Sequence, residues 1–207
     1  MSGLGQGGAT RQEIFQQPEL WPTTLARVDE ASARLDLRHR LAGKRILFTG
    51  AGTSAFAARA AAAAGTNCLA IPTTDLLIDA ERYLAGIEVV ISLARSGGSP
   101  ESAAVVERVR ALRPDILQLA ITCNPQSALT GSALDGILFL DPRTNDRSLV
   151  MTSSFSNLVL AGQALLRRQA VGEGIDIGAR HGLSLLPAID DACRSIAGAV
   201  RDRIVVL

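Results

Sequence analysis

Aromatic residues are scarce in this chain: Phe, Trp and Tyr make up 3% of its 207 residues, against 47% hydrophobic overall. A core built almost without rings must be filled by Leu, Ile, Val and Ala. That favours helices packed closely on a sheet over an all-β barrel. An excess of either charge is also missing, since 21 Lys and Arg stand against 20 Asp and Glu. This balance offers no broad electrostatic footprint for nucleic acid. Cysteine is limited to Cys68, Cys123 and Cys193, far apart and without metal-ligand spacing, so no metal is expected. Cys68 and Cys123 lie in or beside apolar strand candidates, which points to buried reduced thiols and a cytoplasmic setting. The opening residues MSGLGQGGATRQE hold no apolar run of the secretory kind, and no uninterrupted hydrophobic stretch reaches membrane-spanning length. A soluble intracellular protein with no membrane partner is expected.

The most informative stretch is Val89 to Glu107, VVISLARSGGSPESAAVVE. The run Val89, Val90, Ile91 suits a strand covered on both faces. Ser99 has the form of an N-cap, and Pro100 fits the first helical position, where a missing N–H does no harm. Val105, Val109 and Leu112 recur at helical spacing and can face the sheet. Between strand and helix stand Arg95, Ser96, Gly97, Gly98 and Ser99. The glycines permit a tight turn and close approach to a ligand, while the first N–H groups of the helix present the positive end of its dipole. With the hydroxyls of Ser96 and Ser99, joined by Ser102, such a turn can hold a phosphate without a lysine. An ordinary capped turn is the alternative.

The remainder fits a repeating strand–helix pattern. Residues 1–9 are Gly-rich and expected to be disordered. A helical extension over 10–43 follows, opening with a capping box in which Thr10 caps and Glu13 reaches back. Pro18 and Pro22 bracket Trp21, and Thr24 to Leu41 reads as one amphipathic helix ending in Arg38, His39 and Arg40, a solvated basic end. Strands are expected at Lys44–Gly50, Asn67–Ile71, Val89 onward, Ile116–Thr122 and Gly136–Leu140. Phe155, Leu158, Val159, Gly162, Leu165 and Leu166 mark a helix after the fifth strand. Right-handed crossovers then give an α/β fold: a five-stranded parallel sheet, doubly wound, in the flavodoxin-like order 2-1-3-4-5. This domain is placed at 44–170. In 171–207 a loop at Gly172, Gly174 and Gly178 is expected, then a helix over Pro187–Val200, then RIVVL (Arg203–Leu207). The last piece is either an edge strand or the start of a truncated second domain.

Ligands of such sheets bind beyond the carboxyl ends of the strands, near the point where strand order reverses. Those ends carry Gly52, Thr53 and Ser54; Thr73, Thr74 and Asp75; Arg95, Ser96, Gly97 and Ser99; Asn124; and Asp146, Arg147 and Ser148, followed by Thr152, Ser153 and Ser154. Hydroxyls and amides dominate, the chemistry of a phosphate and of sugar hydroxyls. Gly50, Gly52 and Ala55 also give G-x-G-x-x-A, a weak dinucleotide fingerprint. Asp75, however, lies past the place of a ribose-binding acid, so a nicotinamide cofactor is disfavoured and no cofactor is expected.

The motifs GAGTS, SLARSGGSPES and TNDRSLVMTSSF, taken in order, resemble the sugar isomerase (SIS) domain. With EIFQQPELW (Glu13–Trp21) and IPTTDLL (Ile71–Leu77) they are similar to the tagatose-6-phosphate ketose/aldose isomerase group, which is also described as acting on galactosamine 6-phosphate. The resemblance runs from Thr10 to Leu166. By analogy with the isomerase domain of glucosamine-6-phosphate synthase it implies that Ser96, Ser99 and Thr152 contact the phosphate and that Thr53 and Ser54 hold the sugar chain. Arg95 stands where that synthase has glutamine, and Ser153 where it has lysine. Group members carry two SIS domains, with the synthase-like catalytic glutamate in the second. That domain would begin here at Arg203, which implies a fragment or a chain that depends on another for catalysis.

Aldose–ketose interconversion needs a base and an acid. The acidic candidates are Glu101, Asp75 and Asp146, although the helix dipole alone accounts for Glu101. Arg147 can neutralise phosphate or pair with Asp146. Three readings compete: a sugar-phosphate isomerase or isomerase/deaminase, a non-catalytic sugar-phosphate sensor, and a nucleotide-dependent oxidoreductase. The expected partners are a sugar phosphate and further copies of the chain, as a homodimer or larger homo-oligomer.

Overall fold

Ile46 to Gly50 and Val89 to Ala94 are buried at every position, which only a strand covered on both faces allows. The computed structural model, which describes residues 6–199, pairs them at the centre of one sheet. Its strands are β1 (Ile46–Gly50), β2 (Cys68–Ala70), β3 (Val89–Ala94), β4 (Leu117–Thr122) and β5 (Gly136–Phe139). Neighbours run β2-β1-β3-β4-β5 and every pair is parallel, the flavodoxin-like order expected from the crossover rules.

The helices in chain order are α1 (Gln6–Phe15), α2 (Gln17–Leu35), α3 (Leu37–Leu41), α4 (Thr53–Ala62), α5 (Thr73–Ile78), α6 (Ala80–Tyr83), α7 (Pro100–Leu112) and α8 (Ser153–Ala199). They cover both faces. Strand alternation sends Ile46, Phe48, Val89, Ile91 and Leu93 into a core shared with α2, α3, α4 and α8. Leu47 and Val90 point the other way, onto Leu76 of α5 and Val105 and Val109 of α7. The three valine and leucine positions expected to seat α7 on the sheet do so, with Leu112 at the margin of that cluster.

Three helical expectations change. Residues 6–9, expected to be disordered, form the first turn of α1, and Thr10 lies inside that helix rather than capping it. The expected helix over Thr24–Leu41 begins earlier and breaks at Asp36, whose φ of 51° and ψ of 41° are left-handed. Aspartate tolerates that conformation better than most residues, and the turn it makes lets Leu37 and Leu41 bury against the sheet. Arg38 and His39 are exposed in the last turn of α3, a solvated basic end.

The third change is the largest. No loop forms at Gly172, Gly174 and Gly178: α8 runs through all three and through Pro187, with its one break in helical geometry at Arg167 (φ −139°, ψ 53°). Val171 and Ile175 pack on the core and Ala179 is buried, so a four-residue spacing continues across the glycines. Gly182 is a point of close packing on this helix. A Cβ there would come within 2.8 Å of Pro18 Cγ, so α8 lies hard against the start of α2. Ion pairs Arg168–Asp29 (2.7 Å) and Arg11–Asp190 (2.9 Å) join α8 to α2 and α1. The RIVVL segment lies outside the described residues. Among those described, no helix is long and apolar enough to cross a membrane.

Candidate functional site

Strand order reverses between β1 and β3, so the turns leaving these strands diverge and open a cleft at their carboxyl ends. The cleft has a volume of about 210 Å³. Its polar wall is Thr53, Ser54, Arg95, Ser96, Ser99 and Ser102. Ala51, Leu93, Ala94, Gly97, Leu149 and Met151 complete it. Among the described residues no carboxylate lines it, and Arg95 is the cation.

The turn from β3 to α7 is held from three sides. Thr122 Oγ1 donates to the Arg95 carbonyl (3.3 Å), Asn124 Nδ2 donates to the Ser96 carbonyl (3.0 Å), and the Gly98 N–H donates to Ser96 Oγ (3.3 Å). Gly97 has φ +63°, and a Cβ there would overlap Ser127 Oγ. A Gly97→Ala variant is therefore expected to lose about 2 kcal/mol of stability, from the left-handed backbone and the forced shift of Ser127. Urea unfolding would measure it, and hexose-phosphate affinity should fall with it because the turn cannot keep its shape.

Ser99 adopts the extended backbone of an N-cap (φ −74°, ψ 129°), yet its side chain makes no capping bond; its hydroxyl lies 3.5 Å from Ser102 Oγ. Gly52, at the same position before α4, has no side chain to offer. Two helix N-termini thus reach the cleft without side-chain caps, flanked by hydroxyls and a guanidinium. That arrangement suits an anion with several acceptor oxygens.

A third helix, α8, starts at the same edge and is closed differently. Asp146, 6% exposed, accepts from the N–H groups of Thr152 (2.8 Å), Ser153 (3.1 Å) and Ser154 (2.9 Å). It also accepts the hydroxyls of Thr152 (3.2 Å) and Ser154 (2.5 Å). A carboxylate of the chain itself fills the place an anion would take. Thr152 and Ser153, expected to hold phosphate, are outside the cleft; the Ser153 hydroxyl donates to the Glu13 carbonyl (2.7 Å). Arg147 is outside as well, with Nη2 donating to Gln12 Oε1 (3.2 Å). Asp146 therefore caps α8 and does not line the cleft.

The structure brings together Thr53, Ser54, Arg95, Ser96, Gly97 and Ser99 of the expected set, with Gly52 in the adjoining turn. Glu101 lies in the first turn of α7 but does not line the cleft. Thr73, Thr74 and Asp75 begin α5, outside it. Since β2 ends at Ala70, Asp75 does not take a ribose-binding position at the strand end. Sequence reasoning missed Leu149 and Met151; their only signal is an apolar LVM in an otherwise polar loop. Met151 Sδ sits 3.9 Å from Ser54 Oγ, bringing that loop against the start of α4. Cys123, behind the β4 end, is fully buried, and burial pushes its thiol up to about 12, so it is no nucleophile near neutral pH.

A doubly wound sheet with hydroxyl-rich turns at its switch point frames the cleft, and residues 42–168 match the SIS domain family. The chain belongs to that family. Over 180 residues it is 36% identical to the D-galactosamine-6-phosphate deaminase AgaS of Escherichia coli, which takes in 80% of this chain and 47% of that protein. The AgaS of Shewanella sp. (strain ANA-3), also a D-galactosamine-6-phosphate deaminase, is 40% identical over 177 residues, 76% of this chain and 46% of the relative. The crystal structure of tagatose-6-phosphate ketose/aldose isomerase from Escherichia coli is similar at a TM-score of 0.78 and 33% identity, covering 92% of this chain and 57% of that one. The chain spans about half the length of the curated relatives it matches.

Proposed function

We propose that this chain binds a hexose 6-phosphate as the phosphate-holding half of a sugar-phosphate isomerase or isomerase/deaminase acting on substrates such as galactosamine 6-phosphate or tagatose 6-phosphate. The observation that carries the reading is the pair of uncapped helix N-termini, α4 and α7, sharing one cleft with Ser96, Ser99 and Arg95. The phosphate accepts from the two serine hydroxyls beside the positive end of α7, whose first residue Pro100 has no N–H to give, and Arg95 balances its charge. Thr53 and Ser54, across the cleft, contact sugar hydroxyls. The relatives of the preceding section support the substrate class.

Moving a proton between adjacent carbons requires a base, and among the described residues the cleft lining contains no carboxylate or histidine. In this reading the cleft binds and orients, and the proton-transferring groups enter from outside its lining. Exposed Phe56 (62%) and Leu149 (96%) support a homo-oligomer, and the reduced cysteines support a cytoplasmic setting. A binding-only sensor is the second reading, favoured by the same lack of a base.

Titration calorimetry with galactosamine 6-phosphate, tagatose 6-phosphate and fructose 6-phosphate tests the proposal, with NAD as the control. Binding of at least one hexose phosphate and none of NAD is expected. Indifference to all three sugars at millimolar concentration overturns it. Sustained turnover by this chain alone eliminates the sensor.

A further inference from the structure

We infer that Glu13 is a positioning residue for Arg95: it fixes the loop over the cleft and, through the Ser148 carbonyl, sets where the guanidinium lies. The inference rests on the anion-site reading above and identifies what tunes that site. Glu13 is 4% exposed on α1, a helix that lines no part of the cleft. Its side chain does not turn back on its own helix. Oε1 accepts from the N–H groups of Arg147 (2.6 Å) and Ser148 (3.2 Å), and Oε2 accepts the Ser148 hydroxyl. The carbonyl of that same Ser148 accepts from Arg95 Nη1 at 3.1 Å.

One residue therefore links a buried carboxylate to the cation of the cleft. Two consecutive N–H groups on one oxygen fix the two peptide planes leading into Ser148, and the Ser148 hydroxyl on Oε2 ties down the residue itself, whose carbonyl, in the next plane, holds Arg95. Neighbouring contacts brace the same loop. Gln16 Nε2 donates to the Arg143 carbonyl (2.9 Å) and to Ser153 Oγ (2.8 Å), and Gln12 receives Arg147. Gln12, Glu13 and Gln16 are thus a clamp on residues 143–153, the stretch that delivers Leu149 and Met151 to the cleft. A carboxylate suits the task because it only accepts, and two of its three partners are backbone N–H groups. Glutamine would remove the charge and turn an NH₂ group toward the Ser148 hydroxyl, which would then donate to the Val150 carbonyl in its reach at 3.1 Å, so the clamp is weakened and not deleted. Arg95 keeps its remaining donors for a ligand, and a guanidinium already placed loses less rotamer freedom on binding.

The test compares Glu13→Gln, Arg95→Ala and the double variant. In ligand-free protein, amide exchange at Arg147 and Ser148 should quicken by about tenfold in Glu13→Gln, and the Arg95 Nε–Hε resonance should shift or broaden. In calorimetry with galactosamine 6-phosphate, Glu13→Gln should weaken binding by about tenfold, while the double variant binds no more weakly than Arg95→Ala alone. Additive losses overturn the inference, because a general structural defect would persist without Arg95. An unmoved Arg95 resonance also overturns it, whatever the ligand data show. If the wild type binds no sugar phosphate, the proposed function falls, and the ligand-free measurements still decide the positioning role. Should Glu13→Gln fail to fold, Ser148→Ala, which deletes only the hydroxyl, is read by the same resonance with the same two outcomes.

Discussion

A Ser96→Ala, Ser99→Ala double variant is expected to lose roughly 2–4 kcal/mol of hexose-phosphate affinity, the worth of two charge-assisted hydrogen bonds. Both hydroxyls line the cleft and neither is committed to strong bonds within the protein. Ser96 Oγ accepts one N–H at 3.3 Å, and Ser99 Oγ has a 3.5 Å neighbour in Ser102. Since the Ser99 side chain does not cap α7, stability should fall by less than the ~1 kcal/mol of an ordinary lost cap. Calorimetry reads the first effect and thermal unfolding the second. A folded double variant with unchanged affinity moves the phosphate to another place.

Asp146→Ala should behave in the opposite way, costing stability first. The substitution removes an acceptor of five hydrogen bonds and leaves the N–H groups of buried Ser153 and Ser154 without a partner. A loss of roughly 3–5 kcal/mol is expected, the range of a broken buried network rather than of a surface cap. Asp146→Asn should fall between, since one carboxamide oxygen can still accept. Denaturant unfolding measures both. If Asp146 acted as a base, Asp146→Asn would abolish turnover of a hexose phosphate at near-normal stability; the hydrogen bonds argue for the reverse.

The two variants also separate what could be read from the sequence from what could not. Ser96, Gly97 and Ser99 are legible because strand, turn and helix follow one another within a few residues, and local rules for glycine turns and helix starts apply. Asp146 is not. It reaches a helix start six residues on, across a loop whose path local rules do not specify, so it resembles a free strand-end carboxylate. Glu13 is the same error over a longer distance. Three residues after Thr10 it satisfies the spacing of a capping box, yet its partners are at 147 and 148. Gly172, Gly174 and Gly178 read as a loop because glycine is a poor helix former, whereas packing of Val171, Ile175 and Ala179 continues the helix through them.

By itself, then, the amino-acid pattern determined the strands, their parallel pairing and order, and the serine- and glycine-rich turn at the sheet's switch point. These follow from burial on both strand faces, crossover handedness and turn chemistry, which act over short spans. Tertiary structure alone decided which carboxylates are spent on backbone N–H groups and which helix N-termini lack side-chain caps. The Asp146 bonds span six to eight residues across a loop whose path local rules do not specify, and the Glu13 bonds close between segments more than a hundred residues apart, which only the packing of α1 and α8 on the sheet brings together.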